Sequence, residues 1–372
     1  MSNSKQLKVI LSGGGTGGHI FPAVAIANEL KRLVPDVKIL FVGAQGKMEM
    51  EKVPAAGYEI IGIPIAGLQR RFTWSNFKLP FLIILSLIKT KKIIAEFKPN
   101  VVVGTGGFAS GPILRAASNK GIPVLIQEQN SYAGITNKIL AKKASLICVA
   151  YEGMEKFFPK EKIVLTGNPV RQDIINLESK RSEALKYFKL NPELKTILVI
   201  GGSLGAKTIN EAIGQNLKLL AEANIQLIWQ TGKGYLAIAK TQTEKFESNG
   251  IFAFDFISKM DMAYASADLV ISRAGASSVS ELCNCSKPSI LVPSPNVAED
   301  HQTKNAMALV NKNAAILIKD TEARDKLIQT AIQIINDKSE LNRLSENISK
   351  MAFLNSAQTI AKHVLQIAGY TK

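Results

Sequence analysis

Two stretches of this 372-residue chain begin in the same way, with a short apolar strand that runs directly into a series of glycines. In the first, residues 7–11 precede the glycine loop 13–18, and in the second, residues 196–200 precede the loop 201–205. A helical pattern of apolar residues follows each loop. A strand, a glycine loop and a helix in this order are typical of the start of a doubly wound α/β domain. The repeat therefore predicts two such domains.

The other apolar runs favour the same fold class. They are continuous rather than alternating, as in a parallel sheet buried on both faces, and lie at residues 37–42, 101–103, 124–126, 146–149, 226–229, 269–271 and 289–292. We predict two Rossmann-like domains facing a cleft, at residues 1–168 and 169–351. The helix at about 356–367, within the segment 352–372, is expected to pack back on the first domain. The polar stretch 177–195 is predicted to be a linker.

The first loop matches the pattern G-x-G-x-x-G, which is found in two common kinds of nucleotide-binding domain. A nicotinamide-binding domain needs an acidic residue at the end of its second strand, where this chain reads Val-Gly-Ala-Gln at 42–45. A nucleoside-triphosphate P-loop needs Lys followed by Ser or Thr after its last glycine, where this chain has His19 and Ile20. Both interpretations fail. The interpretation that remains is a loop whose small residues let the backbone approach an anionic ligand at the N-terminus of a helix.

Polar residues at the predicted ends of strands are candidates for ligand contact. His19 lies where the first loop becomes a helix, so a neutral imidazole there suits proton acceptance. The segments 104–112 and 127–130 also follow predicted strands. In the second half, residues 272–278 lead into a helix that carries Glu281, a carboxylate suited to accept ribose hydroxyls. Because the chain has no Asp-x-Asp, a metal-bridged sugar nucleotide is not indicated, and no metal or other cofactor is expected. The diphosphate charge of a sugar nucleotide would then have to be carried by helix N-termini.

Composition narrows the class of partner. The formal charge is +16, which implies an anionic partner such as a phosphorylated ligand or an acidic lipid surface. Aromatic residues make up only 6% and no nucleic-acid signature is present, so nucleic acid is the weakest choice. Three cysteines suit neither a disulfide framework nor a zinc site, which indicates reduced thiols. We find no signal peptide and no apolar run long enough to span a membrane.

A basic, apolar stretch between Glu59 and Glu96 has no acidic residue. Basic residues around an exposed apolar patch suit an anionic membrane surface, although part of the run is expected to be core. The predicted contact residues are Trp74, Phe77, Lys78, Phe81, Leu82, Leu85 and Lys89.

Six short motifs, taken together and in this order along the chain, point to one family. They are Gly-Gly-Thr-Gly-Gly-His at 14–19, Gly-Gly-Phe-Ala-Ser-Gly-Pro at 106–112, Glu-Gln-Asn at 128–130, Gly-Asn-Pro-Val-Arg at 167–171, Gly-Gly-Ser at 201–203 and Ser-Arg-Ala-Gly at 272–275. From about residue 7 to about residue 365 the chain closely resembles the bacterial peptidoglycan enzymes that add N-acetylglucosamine to undecaprenyl-pyrophosphoryl-N-acetylmuramyl-pentapeptide, converting lipid I to lipid II.

The resemblance implies a GT-B glycosyltransferase that is peripheral at the cytoplasmic face of the cell membrane and inverts the sugar without a metal. UDP-N-acetylglucosamine and lipid I would be its substrates, and other cell-wall synthesis proteins its further partners. His19 is the first candidate for the general base and Glu128 the second. The substrate contacts implied by position are Thr16, Gly17, Gly18, Asn130, Arg171, Ser203, Ile257, Glu281 and Gln302. This chain has Phe108 where some members of the family have tyrosine, and Gln127 where some have histidine.

Two other kinds of protein remain as alternatives. Another GT-B enzyme, such as a glycolipid synthase or a UDP-sugar epimerase, would share the two-domain pattern. A non-catalytic nucleotide sensor at the membrane would bind the nucleotide without needing His19 or Glu128.

Overall fold

The computed structural model of the chain describes residues 6–65, 79–202 and 204–370. The chain forms two compact units. Unit 1 comprises Met1–Val170 and Asn355–Lys372, and unit 2 comprises Arg171–Leu354.

Unit 1 contains a parallel sheet of seven strands among its described residues, in the order β3-β2-β1-β4-β5-β6-β7. The strands are β1 (Lys8–Gly13), β2 (Lys38–Ala44), β3 (Ile60–Ile63), β4 (Val101–Gly106), β5 (Val124–Glu128), β6 (Leu146–Val149) and β7 (Ile163–Leu165). The helices between them include α1 (Gly17–Leu33), α2 (Glu49–Ala55), α3 (Leu79–Phe97), α4 (Ser110–Asn119) and α5 (Ile135–Leu140).

Strand β1 shows why this sheet is covered on both faces. Val9 and Leu11 pack in one core cluster with α1, whereas Ile10 between them packs in another with α3 and α4. Successive side chains of a strand point to opposite faces, so a continuous apolar run serves two helical layers.

Unit 2 has six parallel strands in its described part, in the order β10-β9-β8-β11-β12-β13. They are β8 (Lys195–Ile200), β9 (Ile225–Gln230), β10 (Ile251–Phe254), β11 (Leu269–Ser272), β12 (Ser289–Leu291) and β13 (Ile316–Leu317). Its helices include α6 (Arg181–Tyr187), α7 (Lys207–Gln215), α8 (Leu217–Glu222), α9 (Leu236–Thr243), α10 (Met260–Ser266), α11 (Ala276–Asn284), α12 (His301–Val310), α13 (Ala323–Asn336) and α14 (Lys338–Ser349).

The last helix of the chain belongs to unit 1. It is α15 (Ser356–Ile367), and it packs on α1. Ile360, Ala361 and Val364 are buried at i, i+1 and i+4, in the same core cluster as Val9 and Leu11.

Both sheets reverse their strand order at one place. In unit 1 this place lies between β1 and β4, and in unit 2 between β8 and β11. Loops that follow two such strands diverge, and the crevice at their carboxyl ends is where doubly wound domains bind ligands. The predicted pair of Rossmann-like domains is confirmed, and each glycine loop lies at a reversal point.

The predicted linker at 177–195 is wrong. This segment lies within unit 2, where α6 packs on α10 and Leu177, Leu185 and Phe188 are buried. Arg181 also pairs with Asp268 at 3.0 Å. The apolar positions are spaced for one buried helix face among charged residues, so the average composition of the segment concealed its helix.

Candidate active site

The first glycine loop is in backbone contact with the glycine-rich segment at the end of β4. The N–H of Gly14 donates to the carbonyl of Gly106 at 3.3 Å. A Cβ on Gly107 would lie 2.3 Å from the Gly14 carbonyl oxygen, and one on Gly13 would lie 1.9 Å from Oγ1 of Thr105. The glycines after β1 and β4 are therefore required for two loops to touch at the reversal point of the sheet.

The predicted contacts Thr16, Gly17 and Gly18 form the start of α1. Thr16 precedes the helix in an extended conformation and is exposed, and its carbonyl accepts from the N–H groups of His19 and Ile20. A long helix that starts at the carboxyl edge of the sheet presents its positive end there. This arrangement suits an anionic or strongly polar ligand group.

His19 is held at both its backbone and its ring. Its carbonyl accepts from Thr105 Oγ1 at 2.6 Å, and its Nδ1 lies 2.9 Å from Oε1 of Gln129. A Cβ on Gly106 would lie 2.8 Å from that Nδ1, so only glycine leaves room for the ring. His19 Nε2 has no hydrogen-bond partner among the residues that the structure describes. The ring is partly exposed, which leaves a nitrogen available to a substrate.

Glu128, the second candidate base, is buried, and both of its carboxylate oxygens accept hydrogen bonds. Its Oε1 accepts from the backbone N–H of Asn130 at 3.1 Å and also from the Asn130 side chain. Its Oε2 accepts from the N–H of Gly134 at 3.0 Å and from Asn137 Nδ2 at 2.8 Å. With 1% of its surface exposed, the carboxylate organises the loop that carries Asn130. This geometry favours His19 over Glu128 as the base.

Sequence reasoning missed Glu49, a buried glutamate that supports the first glycine loop. Its Oε2 accepts from the N–H of Gly15 and its Oε1 from the N–H of Ala44, both at 2.9 Å. Gly14 and Gly43 leave no room for a Cβ beside its side chain. The only signal in the sequence was a glutamate at the start of the helix after β2.

In unit 2, Arg171 and Glu281 are brought together. Arg171 Nε donates to Glu281 Oε1 at 3.1 Å, and the hydroxyl of Tyr264 donates to Glu281 Oε2 at 3.0 Å. Burial raises the pKa of the Glu281 carboxyl, an effect that Arg171 and Tyr264 oppose. Burial also raises the pKa of Tyr264 well above its usual value, so its hydroxyl keeps its proton. The two predicted substrate contacts are therefore partners of each other in this structure.

The remaining predicted contacts of unit 2 differ in availability. The N–H of Ile257 donates to Gln230 Oε1 at 3.0 Å, so a uracil contact through this backbone would use the carbonyl or displace the glutamine. Gln302 accepts from the N–H of Ser294 at 2.9 Å and is partly exposed at the start of α12. Ser203 lies outside the described residues.

The second glycine loop is also packed backbone to backbone. Gly205 has φ +79°, and a Cβ there would lie 2.1 Å from the carbonyl oxygen of Thr231. Gly232 has φ +77°, and its Cβ would lie 2.6 Å from the nitrogen of Gly205. The close approach of the loops after β8 and β9 explains the need for glycine at both positions.

The predicted membrane residues divide into three groups. Trp74, Phe77 and Lys78 lie outside the described residues. Phe81 is 62% exposed at the start of α3, whereas Leu82, Leu85 and Lys89 are partly buried. Ile84 and Ile88 continue the exposed stripe at 56% and 61%. Positions 81, 84 and 88 share one helix face, opposite the buried face of α3.

A second exposed apolar pair lies on α5. Ile135 and Ile139, one turn apart, are 61% and 67% exposed. Helix α3 packs on α4, and α4 packs on α5, so the two exposed helix faces lie on the same side of the sheet. Phe108, next to the start of α4, is exposed as well.

A cavity of about 700 Å³ in unit 2 is lined by none of the predicted site residues. Arg181 and Lys287 supply its positive charge. Arg181 donates to the carbonyls of Ala265 and Ser266, and Lys287 Nζ donates to that of Ala267 at 2.7 Å. Both cations therefore cap the C-terminal end of α10.

Two properties of the described residues bear on metals and membranes. No three His, Cys, Asp or Glu side chains within them group as a metal site requires. Metal-free transfer stays a prediction. None of the helices in this part of the chain has the length and apolar character needed to cross a bilayer.

Comparison with known proteins identifies the family. Residues 9–149 match the glycosyltransferase family 28 N-terminal domain, and residues 196–364 match the family 28 C-terminal domain. A protein of Parabacteroides distasonis named UDP-N-acetylglucosamine–N-acetylmuramyl-(pentapeptide) pyrophosphoryl-undecaprenol N-acetylglucosamine transferase is 56% identical over 98% of this chain and 99% of its own length. A Bacteroides fragilis protein of the same name is 57% identical over 97% of this chain and 96% of its own.

The comparison with solved structures is consistent with this family. The crystal structure of Acinetobacter baumannii MurG matches with a TM-score of 0.78 and 29% identity, covering 97% of this chain and 99% of that one. A UDP-N-acetylglucosamine 2-epimerase matches with a TM-score of 0.63 at 16% identity, which is a likeness of fold alone, over 99% of this chain and 98% of that one. The chain belongs to glycosyltransferase family 28, whose N-terminal model lies within unit 1 and whose C-terminal model covers most of unit 2 and part of the last helix.

Proposed function

We propose that this glycosyltransferase moves N-acetylglucosamine from UDP-N-acetylglucosamine to the C4 hydroxyl of N-acetylmuramate in lipid I, giving lipid II and UDP for peptidoglycan synthesis. The names of relatives at 56% and 57% identity support this choice of substrates. The observation in the structure that carries it is His19, held at the reversal point of the sheet in unit 1 with one ring nitrogen engaged and the other available.

The reaction in this proposal is a single displacement with inversion. The oxygen of the C4 hydroxyl forms a bond with the anomeric carbon of the donor sugar while its proton passes to Nε2 of His19. The bond between that carbon and the diphosphate oxygen breaks, and its electron pair leaves with UDP. Thr16, Gly17, Gly18 and Asn130 would lie around the sugar and acceptor.

Unit 2 would hold the nucleotide. Ribose hydroxyls would donate to Glu281, whose carboxylate is already oriented by Tyr264. Arg171, together with Ser203, would stabilise the charge that develops on the leaving diphosphate. Ile257 would contact uracil and Gln302 the sugar hydroxyls. Because Arg171 and Glu281 are paired in this structure, nucleotide binding would exchange part of that pair for ligand contacts.

The test is an assay with radiolabelled UDP-N-acetylglucosamine, with and without a lipid I analogue. Transfer that requires the acceptor supports the proposal, and turnover of the donor sugar without the acceptor would favour an epimerase. His19→Ala should abolish most of the transfer while UDP binding persists. A variant that keeps full transfer would contradict the role of His19.

We also propose that the enzyme docks on the cytoplasmic face of the membrane, where the undecaprenyl chain of its acceptor resides. The exposed stripe of Phe81, Ile84 and Ile88 supports this, as do Ile135 and Ile139 on the same side of the sheet. The net charge of +16 favours an anionic leaflet, and each basic residue near it contributes about 1 kcal/mol.

Co-sedimentation with phosphatidylglycerol vesicles tests the docking surface. Ile84→Ser should lower the partition coefficient about 10-fold, since less apolar surface would enter the bilayer. Ile238→Ser is the matched control, because Ile238 is 52% exposed but lies on α9 of unit 2. Binding should also fall steeply with salt. Equal loss in both variants, or binding insensitive to salt, would contradict this surface.

A further inference from the structure

We propose that Gln129 is a positioning residue that sets the tautomer of His19, so that the proton of the neutral ring lies on Nδ1 and the accepting lone pair on Nε2. This inference rests on the proposed role of His19 as the base. Within the described part of the chain, the side-chain partner of this imidazole is an amide rather than a carboxylate. The inference concerns how that amide selects the nitrogen that reacts.

The orientation of the Gln129 amide is determined by its surroundings. Its Nε2 donates to the carbonyl of Thr105 at 2.7 Å and to that of Gln127 at 3.1 Å. A flipped amide would bring its oxygen against these two carbonyl oxygens, so the flip is strongly unfavourable. Oε1 of Gln129 therefore faces Nδ1 of His19.

A chain of side-chain amides reinforces this direction. Oε1 of Gln127 is a third acceptor for Gln129 Nε2, so the two hydrogens of this nitrogen are shared among three oxygens. Nε2 of Gln127 donates to Oδ1 of Asn168 at 2.9 Å. Nδ2 of Asn168 donates in turn to the backbone carbonyl of Gln129 at 3.0 Å. A backbone carbonyl only accepts, so it fixes the direction of every bond in the chain. All three side chains are buried, which keeps competing water away.

The tautomer follows from this chain. An amide oxygen only accepts, so Nδ1 of His19 must donate to it across the 2.9 Å contact. The neutral ring then has no proton on Nε2, the nitrogen without a partner among residues 6–65, 79–202 and 204–370. When Nε2 takes the proton of the C4 hydroxyl, the Nδ1–H bond to Gln129 strengthens and helps to stabilise the imidazolium.

The tautomer can be observed directly. The chain has three histidines, so a long-range ¹H–¹⁵N correlation spectrum of histidine-labelled full-length protein gives three ring systems, and His19→Ala identifies that of His19. We expect Nδ1 to be protonated and Nε2 unprotonated in the neutral ring. The opposite tautomer in the wild type would overturn the inference without any need for a variant.

Gln129→Leu removes the acceptor at similar volume. The His19 ring should shift toward the Nε2–H tautomer, and kcat should fall about 100-fold while KM for UDP-N-acetylglucosamine changes little. Gln226→Leu is the matched control. Gln226 is equally buried and bonds through both ends of its amide, to Asn191 and Thr196, but lies in unit 2. The control should lose stability and leave the His19 tautomer and kcat unchanged.

Gln129→Met provides a second variant if the leucine variant folds poorly, because its flexible side chain of similar length also lacks the acceptor oxygen. The same shift toward the Nε2–H tautomer is expected. Wild-type kcat in Gln129→Leu, or the same tautomer shift in the control, would overturn the inference. Failure of the proposed base is distinguishable, because it would appear as wild-type transfer by His19→Ala whatever the spectrum shows.

Discussion

The site regions of the two units are built from different interactions. Around His19 the contacts are neutral hydrogen bonds between buried amides and backbone groups, centred on Gln129 and Thr105. Around Glu281 the main contact is an ion pair with Arg171, whose side chain is 38% exposed. Neutral, closed networks hold one geometry, whereas a partly exposed ion pair contributes little and exchanges readily for a ligand. If His19 is the base and Glu281 holds the nucleotide, as proposed, the difference predicts a preorganised catalytic region and an adaptable nucleotide region.

His19→Ala should have the largest effect, because it removes the base from the preorganised region. We expect kcat to fall about 10²- to 10⁴-fold, with the affinity for UDP unchanged. Steady-state assays of transfer to a lipid I analogue give kcat, and calorimetric titration with UDP gives the affinity. His363→Ala is the control, since its ring contacts Gln366 on the outer face of α15. A parallel loss of UDP affinity would remove the distinction between the regions.

Glu281→Gln should have the next largest effect, and we expect it to weaken UDP binding rather than to lower kcat. Loss of the charged acceptor should weaken UDP binding about 10- to 100-fold, since hydrogen bonds to charged groups are worth about 1.5–3 kcal/mol. The amide is isosteric and still accepts from Tyr264, so the fold is expected to persist. Glu211→Gln is matched, because Glu211 pairs with Arg324 away from the predicted site. Unchanged UDP affinity would exclude Glu281 from the nucleotide site.

Glu49→Gln should destabilise the first glycine loop. Glu49 accepts from two N–H groups, and a glutamine can satisfy only one of them. We expect a loss of about 1–3 kcal/mol in the free energy of unfolding of unit 1, measured by urea denaturation. Glu51→Gln on the same helix is the control, since its side chain is 77% exposed. Equal stability of the two variants would refute the supporting role of Glu49.

The smallest predicted effect is a pH dependence of UDP affinity. Because burial raises the pKa of Glu281 above its usual 4.5, its carboxylate should take up a proton, and UDP affinity fall, at a higher pH than an exposed glutamate would allow. Its contribution to stability has the opposite sign, being fully present below pH 4.5 and lost as the pH rises through the raised pKa. Titrations from pH 7 downward should show weaker binding before unfolding, and Glu281→Gln should remove this dependence.

Much of the fold could be predicted because central parallel strands are continuous apolar runs. The strands that sequence reasoning did not single out, β3, β7, β10 and β13, all lie at or next to the edges of the two sheets. Strand β7 has no fully buried residue and β13 has only two residues. Edge strands are buried less completely and carry a weaker pattern.

The candidate site was predicted in part. The segment 127–130 stood out, but Glu128 was preferred within it and Gln129 was passed over. Glu128 turns toward the loop at 130–134 and the start of α5, whereas Gln129 reaches His19 from 110 positions along the chain. Successive residues at the end of a strand point in opposite directions, and sequence alone does not reveal which direction meets another loop.

Apolar periodicity and ordered motifs are local properties, so the two doubly wound units, the glycine loops at their reversal points and the family could all be predicted from the chain alone. The partners that those loops acquire depend on the folded arrangement. Glu49 under the first loop, the pair of Arg171 and Glu281, and Gln129 beside His19 all join residues 34 to 110 positions apart. Such contacts depend on how strands and loops are brought together, and their polar members leave no periodic trace in the chain.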